Sequence, residues 1–197
     1  MRAAVRDTGR PRHRHVAAVL AAAIVLATAV AARAAVTYFS LTFPERVAGA
    51  ELGPVTDFES SHPGFGYGVR YRQAGWTIDL YIYDQGRAAI PDGPASEVMK
   101  DQLKQGQNDI LELERQKKYA RVEWLRTYVL NDRAGQEKIA CSDFVLVHER
   151  TGKADSFLCL TGWHNKFVKF RLTTAQRPGS TDEAAKFVEA WIPVLWP

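Results

Sequence analysis

The sequence predicts an α+β fold: a mostly antiparallel sheet covered by a long central helix and a C-terminal helix, an α/β/α sandwich in outline. Three observations predict it. Alternating apolar and polar residues recur over residues 66–83 and 121–173, the mark of half-buried strands. Between those blocks lies one stretch with apolar residues at spacings of three and four, and a shorter stretch of the same kind closes the chain. No internal repeat or low-complexity segment breaks that order beyond the Ala-rich N-terminus.

Each element has its own signal. Tyr38 to Phe43 (Tyr-Phe-Ser-Leu-Thr-Phe) is aromatic and β-prone, and Pro44 ends it, which predicts a first strand. Val55 to Phe58 predicts a short second strand, and Ser60 to Gly64 a loop. Gly66–Arg72 and Trp76–Tyr83 flank Gln73-Ala74-Gly75. In the second run Trp76, Ile78, Leu80 and Ile82 alternate with Thr77, Asp79, Tyr81 and Tyr83, giving a hairpin with one apolar face and one polar, aromatic face. Asp84 to Ala95, with two glycines and two prolines, is a long loop that ends where Ser96 can cap a helix. That helix runs from Glu97 to about Lys118: Met99, Leu103, Gly106, Ile110 and Leu113 form one stripe, while Lys100, Lys104, Gln107, Glu114 and Lys118 face water. Gly106 costs about 1 kcal/mol against alanine unless its bareness lets the helix approach a sheet closely, which is the expectation. Strands at Arg121–Leu130, Lys138–His148, Ser156–Trp163 and Lys166–Thr173 follow, the last three close enough for an antiparallel meander. A final helix begins at Ser180, with Glu183 placed for a capping box, an apolar stripe of Phe187, Val188, Trp191, Ile192 and Leu195, and Pro193 limiting its length.

The element order over residues 36–196, with Phe43-Pro44 ending the first strand, resembles the PsbP-like proteins, named for an extrinsic subunit of photosystem II. The resemblance implies an α/β/α sandwich and places no binding residue. More loosely, the chain is similar to small bacterial exported proteins.

Of 26 basic and 22 acidic residues, six bases and one acid (Asp7) fall in residues 1–34, so the remainder carries twenty bases against twenty-one acids. A near-neutral body is a poor phosphate binder, and no nucleic-acid partner is expected. Residues 2–15 hold five arginines and two histidines, and residues 16–32 carry no charge. Small residues then satisfy the A-x-A rule at Ala27–Ala29, Ala29–Ala31 and Ala32–Ala34. Residues 1–34 therefore read as a secretory signal peptide, cut after Ala34, or as an uncleaved N-terminal membrane anchor, the apolar run reaching the lower limit of a bilayer span. Residues 35–197 form a single exported domain in either case. It is periplasmic in a bacterium, or held at the inner membrane and facing away from the cytoplasm, with membrane contact only through residues 16–32.

Few constellations carry chemistry. Gly64-Phe65-Gly66-Tyr67-Gly68 lacks the preceding strand and following helix of a dinucleotide or phosphate loop, and reads as close packing at the start of a strand. Cys141 and Cys159 are the only cysteines. A two-residue turn at Thr151-Gly152 would set Cys141 opposite Gly162 and Cys159 opposite Phe144, too far apart for a bond, so buried free thiols are expected unless a longer turn or a bulge shifts the register. His62, His148 and His164 lack partners at metal-ligand spacing, and neither a metal nor a cofactor is expected. No serine sits in a nucleophile elbow, and paired acids such as Glu112 and Glu114, or Asp182 and Glu183, are explained by solvation and capping.

Two surfaces are the candidate binding sites. Arg70 and Arg72 share one alternation class and Tyr81 and Tyr83, with Asp79, another; if the two meet on one face they form a cationic, aromatic patch for an anion or a partner loop. Trp163, His164 and Lys166, with Asn165, make a hairpin tip suited to a ligand lip. The reading is a non-catalytic exported envelope domain that binds or assists another envelope component, its partner an envelope protein or a small anionic ligand. A hydrolase-like or ligand-processing enzyme with its site between the long helix and the sheet is the second reading, and a membrane-tethered structural domain the third.

Overall fold

The computed structural model of the protein describes residues 36–197; the signals read in residues 1–34 lie outside the described residues. In chain order the elements are β1 (Val36–Tyr38), β2 (Leu41–Phe43), β3 (Arg46–Val47), β4 (Ala50–Asp57), β5 (Tyr67–Gln73), β6 (Trp76–Tyr83), α1 (Glu97–Arg115), β7 (Arg121–Asn131), β8 (Glu137–His148), β9 (Gly152–Trp163), β10 (Lys166–Ala175), α2 (Ser180–Glu189) and α3 (Ile192–Leu195). β3 to β10 form one sheet in the order β3-β4-β5-β6-β10-β9-β8-β7, antiparallel at every pairing. Two four-stranded meanders are thus joined where β6 pairs with β10. None of the described helices is long and apolar enough to cross a membrane.

Alternation along the strands sorts the core into two layers on opposite faces of the sheet. Ile78, Leu80, Ile82, Cys141, Cys159, Val168, Phe170 and Leu172 pack with Phe187 and Val188 of α2, with Trp191 between α2 and α3, and with Leu41 and Phe43 of β2. Their neighbours in register, Phe144, Leu146, Leu158, Leu160 and Phe167, pack with Met99, Leu103 and Ile110 of α1. The result is an α+β fold with helices on both faces, but α1 lies over only part of its face: its side chains bond to β7 and β8 through Gln107 and to β6 through Gln102. Gly106 makes the expected close approach, since a Cβ there would stand 2.9 Å from a Leu158 methyl.

Several expectations are corrected. Tyr38–Phe43 is a hairpin rather than one strand, because Phe39 and Ser40 both take positive φ and reverse the chain. The second strand is longer than Val55–Phe58, with Pro54 accommodated at a register shift between Leu52 and Val55. The long helix stops at Arg115, and Gln107 is buried, donating to Ser142 Oγ at 2.8 Å. No capping box forms at Ser180: Gly179 is the N-cap, Ser180 Oγ donates to Asp155, and the Glu183 carboxylate accepts from Arg177 and from Trp76 Nε1. The expected free thiols are a disulfide. The β8–β9 connection is a three-residue loop closed by Gly152 at φ +80°, which slides the register so that Cys141 and Cys159 face each other, Cα atoms 4.0 Å apart.

Candidate functional site

The face under α1 is where charge and aromatic surface meet. Register pairs Arg70 with Asp79, Arg72 with Thr77 and Gly68 with Tyr81, so Arg70, Arg72, Tyr81 and Tyr83 do share one face, the same one α1 partly covers. They do not act as one patch. Arg70 is held by Asp79 in a two-point pair, Nε to Oδ1 2.8 Å and Nη2 to Oδ2 3.1 Å. Tyr83 is 7% exposed, its hydroxyl accepts from Gln102 Nε2 at 3.2 Å, and burial raises its pKa well beyond the ordinary tyrosine range. Arg72 lies outside, on a shallow depression at the β5–β6 turn.

Between α1 and the sheet a cleft of about 250 Å³ is lined by Phe58, Phe65, Tyr81, Tyr83, Gln85, Gln102, Gln105, Asp109 and Lys169. Its helix wall follows from spacing: Gln102, Gln105 and Asp109 lie three and four residues apart and project from one side of α1. Its floor is β6 and β10, where Tyr81 pairs with Lys169 in register. Its outer wall is the loop after β4. Glu59 accepts hydrogen bonds from the backbone N–H groups of Gly64 (3.0 Å) and Gly66 (2.8 Å), and Gly64 C=O accepts from Gln85 N–H at 2.8 Å. Gly66 has φ +62°, and a Cβ on it would stand 1.8 Å from the Ile82 carbonyl oxygen; only glycine fits. The glycine run is therefore close packing, as its context implied, and it delivers Phe65, 61% exposed, to the mouth of the cleft.

Lys169 is the residue that sequence reasoning missed. It is half-buried, its ammonium 4.9 Å from the Tyr81 ring centroid and 5.3 Å from that of Tyr83, and among the described residues it has no ion-pair or hydrogen-bond partner. Burial lowers its pKa; Asp109 acts in the opposite sense, and Arg171 adds to the lowering. Arg171, two residues on along the same face, has a buried guanidinium nitrogen with no hydrogen-bond partner, and burial pushes its pKa down to about 10, so it stays charged at neutral pH. A signal existed: Phe167, Lys169 and Arg171 alternate with Val168, Phe170 and Leu172 in a strand flanked on both sides, which puts two cations on an inward face.

The hairpin tip lies apart from the cleft. Trp163 is 5% exposed and its indole N–H donates to the Leu195 carbonyl at 2.6 Å. His164 is exposed, stacks on Trp163 at 4.4 Å, and its backbone N–H donates to Asp92. Lys166 is ion-paired with Asp84 and sits 3.9 Å from the Phe39 ring centroid. His62 and His164 lie in separate loops and His148 ends β8, and among the described residues no three of His, Cys, Asp and Glu gather as a metal site would need. A larger groove of about 730 Å³ runs between residues 131–134 and the α2–α3 region, where Arg133 and Lys186 are balanced by Asp132 and Glu189.

No family model matches the chain, and no curated protein matches it in sequence. Among solved structures it is similar to the solution structure of cyanobacterial PsbP (CyanoP) from Synechocystis sp. PCC 6803, with a TM-score of 0.45 and 12% identity over 79% of this chain and 83% of that one. The loose PsbP-like similarity expected from element order is thus met in a solved structure, at a degree that carries no argument about the site.

Proposed function

We propose that the chain is a non-catalytic exported domain of the cell envelope, and that the cleft between α1 and the sheet holds a small ligand bearing an anionic group and an apolar group. One observation carries this: the Lys169 amine lies at the floor of an aromatic-lined cleft with no ion-pair or hydrogen-bond partner among the described residues. A half-buried ammonium without a counter-ion is costly, and an arriving carboxylate or similar anion offsets that cost while the rings take the apolar part. The wall residues supply charge, amides and rings, which suits recognition more than bond breaking. Export by residues 1–34 fits the Cys141–Cys159 bond, since disulfides persist outside the reducing cytosol. A PsbP-like sandwich is part of the same proposal and rests on element order.

The test is calorimetric titration of the full chain with phenylpropionate, a small aromatic carboxylate. Binding is expected for the wild type and at least tenfold weaker for Lys169→Met. Equal affinity of the two proteins would remove the reading.

A further inference from the structure

Resting on that reading of the cleft, its walls also state which kind of ligand they suit. Lys169 rises from the sheet and Asp109 projects from α1, both line the same cleft, and the Asp109 charge acts on Lys169. They are not paired: no ion pair joins them, and among the described residues neither side chain has a hydrogen-bond partner. Two opposite charges left apart across one cleft suit a guest that carries both. An anion alone gains at Lys169 and is repelled by Asp109; a cation alone meets the reverse; a guest with an ammonium and a carboxylate gains at both.

Size and lining narrow the class. About 250 Å³ is the volume of roughly eight liquid waters, enough for on the order of ten non-hydrogen atoms. Phe58 and Phe65 offer apolar surface beside the charges, and the amides of Gln85 and Gln105 can bond to either end of a zwitterion. We propose that the cleft binds a small zwitterion of the amino-acid class with an apolar side group, its carboxylate at Lys169, its ammonium at Asp109 and its side group against Phe58 and Phe65.

Three probes that differ only in charge decide this, titrated into the full chain: phenylalanine carries both groups, phenylpropionate only the carboxylate, phenethylamine only the ammonium. Phenylalanine is expected to bind at least tenfold more tightly than either of the others. Asp109→Asn, a change on an exposed helix position that leaves the fold intact, should weaken phenylalanine about tenfold and tighten phenylpropionate. Lys169→Met should weaken phenylalanine about tenfold and leave phenethylamine bound. If phenylpropionate binds the wild type as tightly as phenylalanine, or Asp109→Asn leaves phenylalanine unchanged, the zwitterion assignment is wrong while the cleft remains an anion site. If none of the three binds, or binding is the same in Lys169→Met, the cleft reading fails together with it.

Discussion

The two faces of the sheet are built from the same strands and are put to different uses. On the face under α2, β10 presents Val168, Phe170 and Leu172; Phe43, Tyr71 and Phe170 surround Trp191 with ring centroids 5.7–5.9 Å apart in edge-on pairs, and Phe187 meets Tyr71 at 5.6 Å. On the face under α1 the alternate residues of the same strand are Phe167, Lys169 and Arg171, and the helix leaves their side of the sheet incompletely covered. A strand that is apolar on one side and cationic on the other, in the middle of an eight-stranded sheet, separates two kinds of packing: the first face is filled with aromatic rings, and the second sets Lys169 and Arg171 beside a smaller core and the proposed cleft.

The sharpest break of that comparison is Trp191→Ala. Emptying the centre of the closed face should cost about 3–5 kcal/mol in urea unfolding, and a loss under 1 kcal/mol would mean that face is not the principal core. Next is the disulfide, which lies in the same layer and closes a loop of 18 residues. Replacing both cysteines with alanine should cost about 3 kcal/mol in the chain-entropy account, read as a shift in denaturation midpoint that reductant produces in the wild type only. Gly66→Ala acts on the other face: the collision with the Ile82 carbonyl should cost about 2 kcal/mol and shift the Phe65 resonances, since the outer wall of the cleft must move. Arg70→Ala is the smallest, within about 1 kcal/mol, because the Arg70 partner of Asp79 is largely solvated.

Most of the architecture was legible in residue pattern. The alternation in Trp76–Tyr83, the stripe through Met99 and Ile110 and the meander to β10 all fold as their periodicity implies. What escaped depended on geometry that periodicity does not contain. The turn is Glu149–Thr151, closed by His148 and Gly152, rather than Thr151-Gly152, and that three-residue change of register was enough to hide the disulfide. Ser180 and Glu183 have the residue types of a capping box, yet Asp155, Arg177 and Trp76 compete for their oxygens from elsewhere in the chain. Sequence reasoning placed Tyr81 and Tyr83 on the right face but paired them with Arg70, which Asp79 neutralises; the unpartnered cation beside them arrives from β10, 88 positions after Tyr81, through the β6–β10 pairing that no local pattern announces.

The most direct test of the account is the thermal stability of ligand-free Lys169→Met against wild type as a function of pH. Burial lowers the pKa of Lys169 in the folded protein, so folding disfavours its charged form. The unfolded chain then holds the proton more firmly than the folded one, and wild-type stability rises with pH between the depressed folded value and the ordinary lysine value near 10.4. The account expects the variant to melt a few degrees higher at pH 7, with the gap closing as pH rises through that window. A variant that melts lower than wild type at pH 7, with a gap that does not change with pH, would contradict it: Lys169 would then be a structural residue, and the cleft would lose the charge proposed for its ligand.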